Sequence, residues 1–294
     1  MILPERVRAV VRQATGAEVT SVRRVSGGSI NEAAAIGAGR QMVFAKWHAG
    51  APPGFFEAEV DGLERLGAAG LRVPEVIAVD EAASPSVLVL SYVETSPSNA
   101  VGSRSAMADA GRALATLHAS RGFEPGLERD NFIGLVPQSN GVQPNESQGR
   151  QGSWVEFFRT HRVGALASVL SPQQRTQLGR LDLEQLLTEP VDGCALLHGD
   201  LWGGNLLADP AGAAWFVDPA VYWGHPEVDL AMTRLFGGFD PSFYGAYQNI
   251  AGRFDTGLDA RLEVLNLYPL LVHAHLFGGS YVGQVASIIQ RYGG

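Results

Sequence analysis

The sequence predicts an α+β fold in two unequal lobes: an N-terminal antiparallel β-sheet lobe with one main helix over residues 1–94, and a larger, mostly helical C-terminal lobe over residues 95–294. Three observations carry that expectation. Strand-like apolar runs dominate the first part of the chain, with one long amphipathic stretch, Phe55 to Leu66, set among them. From residue 103 the apolar spacing becomes helical and largely stays so. Three short apolar runs, Cys194 to Leu197, Leu206 to Ala208 and Ala213 to Val217, interrupt that helical half and flank a polar segment, His198-Gly199-Asp200-Leu201-Trp202-Gly203-Gly204-Asn205. The 294 residues suffice for a sizeable core in one large domain or two ordinary ones.

Residues 4 to 15 place Val7, Val10 and Val11 among Arg6, Arg8 and Arg12, an amphipathic helix that packs against the first lobe. Val19 to Val25 alternates enough to be a strand. It runs into Ser26-Gly27-Gly28-Ser29-Ile30-Asn31-Glu32, a Gly-Gly turn between two strands. Such a turn lets backbone N–H groups approach phosphate oxygens, although an ordinary hairpin turn accounts for it equally well. Gln41 to Trp47 is a further strand and carries Lys46. The helix over Phe55 to Leu66 sets Phe56, Val60, Leu63 and Leu66 on one face, with Glu57, Glu59, Asp61 and Glu64 interspersed. Val73 to Val79 and Ser86 to Val93 are two more strands, and a hinge is expected where the second ends.

In the second lobe, Ala106 to Ser120 is an Ala-rich helix with Met107, Ala110, Leu114 and Leu117 on one face, and His118 near its end reads as a capping or core histidine. Asp130-Asn131-Phe132-Ile133-Gly134 is a polar-then-apolar turn that composition does not explain. Ser139 to Gly152 is rich in Asn, Gln and Gly and reads as a surface loop, followed by helices over Trp154 to Leu170 and Gln173 to Leu187. Beyond the central segment, Asp229 either caps the next helix or bonds back to the central loop. Leu262 to Leu276 is helical, and its His273 and His275 sit on different sides, which argues against a shared metal.

The central segment carries the chemistry. Asp209-Pro210-Ala211-Gly212 turns the chain between the second and third runs, so Asp200, Asn205 and Asp218 point toward one spot. Phosphoryl transfer from ATP needs a carboxylate to orient the attacking hydroxyl and accept its proton, oxygen ligands for Mg²⁺, and a cation on the phosphates. Protein kinases meet the first two needs with an Asp, an Asn five residues later and a second Asp after a hairpin, which is the spacing of Asp200, Asn205 and Asp218. A simple Asp-Gly-Asn turn is the alternative for the loop taken alone. Lys46 supplies the cation, two strands after the Gly-Gly turn, in the order in which kinases place loop and lysine. An acid on the following helix would hold its ammonium; Glu59 is the choice and Glu57 the near competitor. Backbone groups at Ser91, Tyr92, Val93 and Glu94 would then read the adenine. Trp223 and His225, close after Asp218, could line a substrate site or belong to the core.

Composition narrows the field. With 46% hydrophobic and 18% charged residues and no apolar run of membrane-spanning length, a soluble globular protein is expected. The N-terminus lacks the features of a signal peptide, and Cys194, the lone cysteine, has no partner for a disulfide, so a cytoplasmic protein is expected. A net charge of −8 argues against nucleic acid or an anionic membrane as partner. Of 22 basic residues Lys46 is the only lysine, retained where a compact ammonium rather than a guanidinium fork is wanted, unless an Arg-biased composition left it by chance.

The run His198 to Asn205 resembles the signature of the fructosamine kinase (ketosamine-3-kinase) family, relatives of aminoglycoside and choline kinases. Gly27-Gly28-Ser29-Ile30-Asn31, Lys46, Glu59-Val60-Asp61-Gly62-Leu63, Asp130 to Gly134, Asp218-Pro219-Ala220, Gly224 to Met232, Leu235 to Phe239 and His275 to Gly279 resemble family blocks in family order, so the likeness covers nearly the whole chain. Trp202-Gly203-Gly204 is what separates this family from aminoglycoside kinases. The resemblance implies a bilobal protein-kinase-like fold and ATP- and Mg²⁺-dependent phosphorylation of a sugar hydroxyl of a ketosamine, usually O3, whose unstable product frees the amine. It assigns Asp200 as the base, Asn205 and Asp218 as Mg²⁺ ligands, Gly27, Gly28, Ser29, Asn31, Lys46 and Glu59 to the nucleotide site, and Trp202 to the substrate side. The partner it implies is a small-molecule ketosamine or a glycated protein side chain, and a monomer is favoured. Two departures, Pro226 in place of a frequent Arg and Val272-His273-Ala274-His275 in place of a Leu-Asn-His stretch, fall in the substrate-binding lobe and bear on the acceptor; Ser29 leaves no thiol in the glycine turn. Another small-molecule kinase of the same fold, acting on an aminoglycoside, choline or homoserine, is one alternative. A non-catalytic nucleotide-binding regulator is the other.

Overall fold

The computed structural model describes residues 2–25, 30–95, 103–122, 124–141 and 152–293. Helix α1 (Glu5–Thr15) leads into a five-stranded antiparallel sheet made of β1 (Val19–Arg24), β2 (Glu32–Ala38), β3 (Gln41–His48), β4 (Val76–Asp80) and β5 (Ser86–Ser91), in spatial order β1-β2-β3-β5-β4, with α2 (Phe55–Ala68) between β3 and β4 in the chain. Strand alternation decides which face each side chain meets. Val43, Ala45, Trp47, Val87 and Val89 pack with Val7, Val10 and Val11 of α1 on one face. Leu88 and Leu90 turn the other way, against Phe55, Phe56 and Leu63 of α2. Lys46 stands between Ala45 and Trp47, so the pleat turns it away from the α1 face and toward α2. The N-terminus of α2 has no cap of its own, and the Glu81 carboxylate takes the role by accepting the N–H groups of Gly54 and Phe56.

The rest of the chain holds α3 (Arg104–His118), β6 (Arg121–Gly122), the hairpin β7 (Asn131–Ile133) and β8 (Val136–Gln138), α4 (Trp154–Phe157), α5 (Pro172–Leu178), α6 (Leu183–Leu186), β9 (Cys194–Leu197), the hairpin β10 (Leu206–Ala208) and β11 (Ala214–Phe216), β12 (Tyr222–Gly224), and α7 (Glu227–Leu235), α8 (Pro241–Ala251), α9 (Leu258–Leu265), α10 (Leu267–Phe277) and α11 (Ser280–Tyr292). Strands β12, β9 and β6 form a small antiparallel sheet in that order. One continuous apolar core gathers these helices around β9 and the β10–β11 hairpin. No helix among the described residues is long and apolar enough to cross a membrane.

Several boundaries differ from the sequence expectation, each for a local reason. β4 begins at Val76 rather than Val73 because Pro74 has no N–H for a ladder. The helix expected over Trp154 to Leu170 is a short α4 followed by a π-helical segment, Phe158–Gly164, and a 3₁₀ turn, Ala167–Val169. The one expected over Gln173 to Leu187 is two short helices broken at Gly179, and Leu262 to Leu276 is split at Asn266 between α9 and α10. Gly27, Gly28 and Ser29 of the glycine turn, and most of the loop expected over Ser139 to Gly152, lie outside the described residues.

Helices α3 and α8 cross where Gly111 meets backbone: a Cβ at Gly111 would sit 2.2 Å from the Phe243 carbonyl oxygen. Neither helix can yield there, since both are buried against the core. Gly111→Ala is therefore expected to lower stability by about 1–3 kcal/mol in urea unfolding through overpacking, outweighing the roughly 1 kcal/mol that alanine gains in helix propensity. A raised or unchanged urea midpoint would contradict the crossing.

Candidate active site

A cleft of about 870 Å³ opens between the five-stranded sheet and the helical part of the chain, and Lys46, Glu59, Asp200, Asn205 and Asp218 all line it. Lys46, only 5% exposed, donates to Glu59 Oε1 at 2.7 Å and also contacts the Asp218 carboxylate. Glu59 is thus the partner that α2 offers, while Glu57 faces solvent. Asn205 Nδ2 donates to the Asp200 backbone carbonyl at 2.8 Å and to Asp200 Oδ2 at 3.0 Å, joining the two ends of the segment.

The segment is held from behind. Asp229, in the first turn of α7 and wholly buried, accepts the backbone N–H of His198 at 2.8 Å and of Gly199 at 2.9 Å. His118 Nε2 lies 3.1 Å from the same carboxylate and Tyr247 Oη 2.9 Å from His118 Nδ1, which makes His118 a core histidine. Burial opposes the Asp229 charge, yet the hydrogen bonds from His118 and from the Gly199 N–H hold it below the ordinary carboxylate range. His198 is depressed to about 4 by burial, against the pull of Asp229, so its imidazole is neutral. Its Nε2 donates to the Val217 carbonyl at 3.1 Å and its Nδ1 accepts the Asp200 N–H at 3.3 Å, tying the two arms of the site together. Gly199 has φ +81° and a Cβ there would meet the Ala220 carbonyl oxygen at 2.0 Å, so only glycine fits.

Asp200 is raised to about 7, chiefly by desolvation, with the Asn205 hydrogen bond opposing and the Asp229 charge adding to the rise. A carboxylate poised there suits a general base near neutral pH. Asp218 has a half-exposed carboxylate, and no donor among the described residues engages Asn205 Oδ1. These two oxygens on one side of the cleft fit a Mg²⁺ ion that keeps waters and takes its remaining ligands from phosphate.

Trp202 lines the cleft, with its indole folded over Gly204, where a Cβ would lie 2.2 Å from the ring. Gly204 thus makes room for the indole. Ser91, Tyr92 and Val93 line the cleft at the hinge, while Glu94 does not and Thr95 does; Asn31 lines it at the sheet. Trp223 and His225 do not line it. Pairing of β12 with β9 carries the chain away from Asp218, so that Trp223 covers Gly122 and His225 lines a separate cavity of about 370 Å³ near Thr188. Arg23, which donates to Tyr92 Oη at 2.6 Å and lines the cleft, had no signal in the sequence, while Val272, His273, Leu276 and Phe277 of α10, where one departure bearing on the acceptor falls, line it as well. His273 was visible as a polar residue in an apolar helix. Its ring, 4.6 Å from that of Phe236, is depressed by desolvation, against the hydrogen bond its Nδ1 donates to Pro269 O.

The sequence model of the family described as fructosamine kinase matches residues 4–293. A protein of Enterococcus faecium named "Probable ketoamine kinase" is 34% identical over 276 residues, covering 91% of this chain and 94% of that protein. The chloroplastic protein-ribulosamine 3-kinase of Arabidopsis thaliana is 31% identical over 296 residues, covering 96% of this chain and 86% of that protein. Among solved structures, a Thermobifida fusca protein described as "putative fructosamine-3-kinase" superposes with a TM-score of 0.80 at 29% identity over 97% of both chains. An aminoglycoside phosphotransferase, APH(4)-Ia, shares the fold alone, with a TM-score of 0.61 at 15% identity. The architecture is that of the protein-kinase-like fold.

The raised Asp200 pKa gives a pH-dependent expectation for the protein in EDTA. Above pH 7 the carboxylate is charged in folded and unfolded chains alike, so its desolvation weighs fully against folding. As pH falls through about 7 the folded chain takes up the proton first and the penalty fades, disappearing near the ordinary value of about 4. Asp200→Asn should raise Tm at pH 8, with the gain shrinking steadily toward pH 4. A gain that does not vary with pH would contradict the assignment.

Proposed function

The chain belongs to the fructosamine kinase family and is a phosphotransferase acting on hydroxyl groups, and from that premise we propose that it transfers the γ-phosphoryl group of ATP to a sugar hydroxyl, O3, of a ketosamine. The observation that carries the reading is the convergence of Asp200, Asn205, Asp218, Lys46 and Glu59 on one cleft. The Arabidopsis relative, whose name specifies both a ribulosamine and the 3 position, supports the acceptor class.

Asp200 orients the acceptor hydroxyl and takes its proton as the oxygen attacks the γ-phosphorus, and ADP departs in line. Asn205, hydrogen-bonded to Asp200, keeps that carboxylate aimed, and its Oδ1 together with the Asp218 carboxylate would hold Mg²⁺. Mg²⁺, when bound, neutralises the phosphate oxygens. Lys46 steadies the α/β-phosphates while Glu59 holds its ammonium in place. Hinge backbone at Ser91, Tyr92 and Val93 reads the adenine. Trp202, next to Asp200, stands on the acceptor side. The phosphorylated adduct is unstable and frees the amine, which makes the activity a deglycation.

Mg²⁺-dependent ATP consumption with fructosyl-lysine, ribulosyl-lysine, a glycated protein, kanamycin and choline tests this. Turnover is expected on the ketosamines alone. Turnover only on kanamycin or choline would move the acceptor to a neighbouring class, and silence throughout would favour a nucleotide-binding regulator. Asp200→Ala should abolish turnover while ATP affinity stays within about threefold; retained turnover would remove Asp200 as the base.

A further inference from the structure

We propose that the β7–β8 hairpin is a clamp that positions Asp218, with Asn131 and Gln138 as its positioning residues; the inference rests on the reading of Asp218 as the carboxylate that faces metal and phosphate. Asp218 has φ +55°, and no other non-glycine residue among those described has a positive φ. Pro219 follows it and further restricts its backbone. A residue persists in such a conformation only where its surroundings over-determine it.

The surroundings do so on both sides. Before Asp218, Val217 N donates to the Asn205 carbonyl at 3.1 Å and the Val217 carbonyl accepts His198 Nε2 at 3.1 Å. After it, Ala220 N donates to the His198 carbonyl at 2.8 Å. The two carbonyls that come next are taken by the hairpin: Gln138 Nε2 donates to Ala220 O at 3.2 Å and Asn131 Nδ2 to Val221 O at 2.8 Å. Asn131 and Gln138 are both buried, at 4% and 1% exposure, so their amides have no solvent alternative.

The direction of these hydrogen bonds is set from a distance. Arg162 is fully buried, packs its guanidinium 3.9 Å from the Tyr222 ring centroid, and has only donors to offer. Its Nη2 donates to Asn140 Oδ1 at 2.8 Å, which turns Asn140 Nδ2 toward Asn131 Oδ1 at 2.9 Å. Tyr268 of α10 donates to Gln138 Oε1 at 2.8 Å, which turns Gln138 Nε2 toward Asn131 Oδ1 at 2.8 Å. With Asn131 Oδ1 doubly occupied, its Nδ2 must face Val221 O. The amides thus form a one-way chain from Arg162 and Tyr268 to the backbone just beyond Asp218, which gives the otherwise unexplained Asp130-to-Gly134 stretch a task.

Two measurements test the clamp, using Asn131→Ala and, should it fold poorly, the near-isosteric Asn131→Asp, which replaces the donor by an acceptor. Hydrogen exchange of the full chain without nucleotide should show amides in 217–222 exchanging roughly tenfold faster, with the five-stranded sheet unchanged. With ketosamine acceptor, kcat/KM for MgATP should fall roughly ten- to a hundredfold while the acceptor KM stays within about twofold. In an Asp218→Asn background the same substitution should cost less than about threefold further, because the carboxylate it positions is gone. Unchanged exchange in 217–222, or a loss fully additive with Asp218→Asn, would overturn the proposal. Inactivity of the unaltered protein on every acceptor would instead defeat the kinase reading, and the exchange result alone would then decide the clamp.

Discussion

The carboxylate of Asp229 receives two consecutive backbone N–H groups, those of His198 and Gly199, and the ring of His118, all without contact with water. A buried charge of this kind persists only with full pairing, and removing its donors would leave it uncompensated. The geometry of the segment from His198 to Asn205 follows from that grip. Once His198 N is turned toward Asp229, its imidazole is free to bridge Val217 and Asp200, and its carbonyl meets Ala220 N. One interaction therefore sets the spacing between the arm that carries Asp200 and the arm that carries Asp218. Its neutral histidine matters too, since a charged ring could not accept the Asp200 N–H.

Close backbone approach is the second constraint. The segment around Asp200 lies directly on the strand that follows Asp218, and at Gly199 there is no volume for even a methyl group. At Gly204 the missing side chain is replaced by the Trp202 indole, so the Trp-Gly-Gly sequence is a packing unit whose flat ring lines the cleft together with Asp200. The glycines of this segment bring backbone and indole together. Backbone contacts and hydrogen bonds on both sides hold this loop and its Asp200 carboxylate in place, and positioning of this kind is what phosphoryl transfer depends on.

Charge is handled differently on the two sides of the cleft. Lys46 is buried between Glu59 and Asp218, one carboxylate from the sheet side and one from the helical side, so it links the two halves of the molecule across the site. Arg162, equally buried, has no carboxylate beside it among the described residues and is accommodated by the aromatic faces of Phe157, Tyr222 and Tyr268. The first cation lines the cleft, whereas the second orders a network of neutral amides behind it.

Much of this was legible in the residues. Alternation along Gln41 to Trp47 places Lys46 on one face of a strand, helical spacing in Phe55 to Leu66 brings an acid opposite it, and the Asp200–Asn205–Asp218 spacing predicts their convergence, because each depends on periodicities of a few residues that local backbone geometry imposes. How α10 closes the cleft was not legible beyond the acceptor-side departure at Val272 to His275, nor was the departure of Trp223 and His225 from the site, nor the reach of Asn131 and Gln138 to Ala220 and Val221. Those contacts join residues some 80 to 90 positions apart in the chain. Their existence depends on how separately formed elements pack around a shared core, and a side chain's sequence neighbours carry no record of that. The sequence by itself determined which chemical groups the protein possesses and on which faces of which elements they stand; the tertiary structure alone decided which of them meet, because burial and backbone hydrogen-bond satisfaction are conditions on the whole chain.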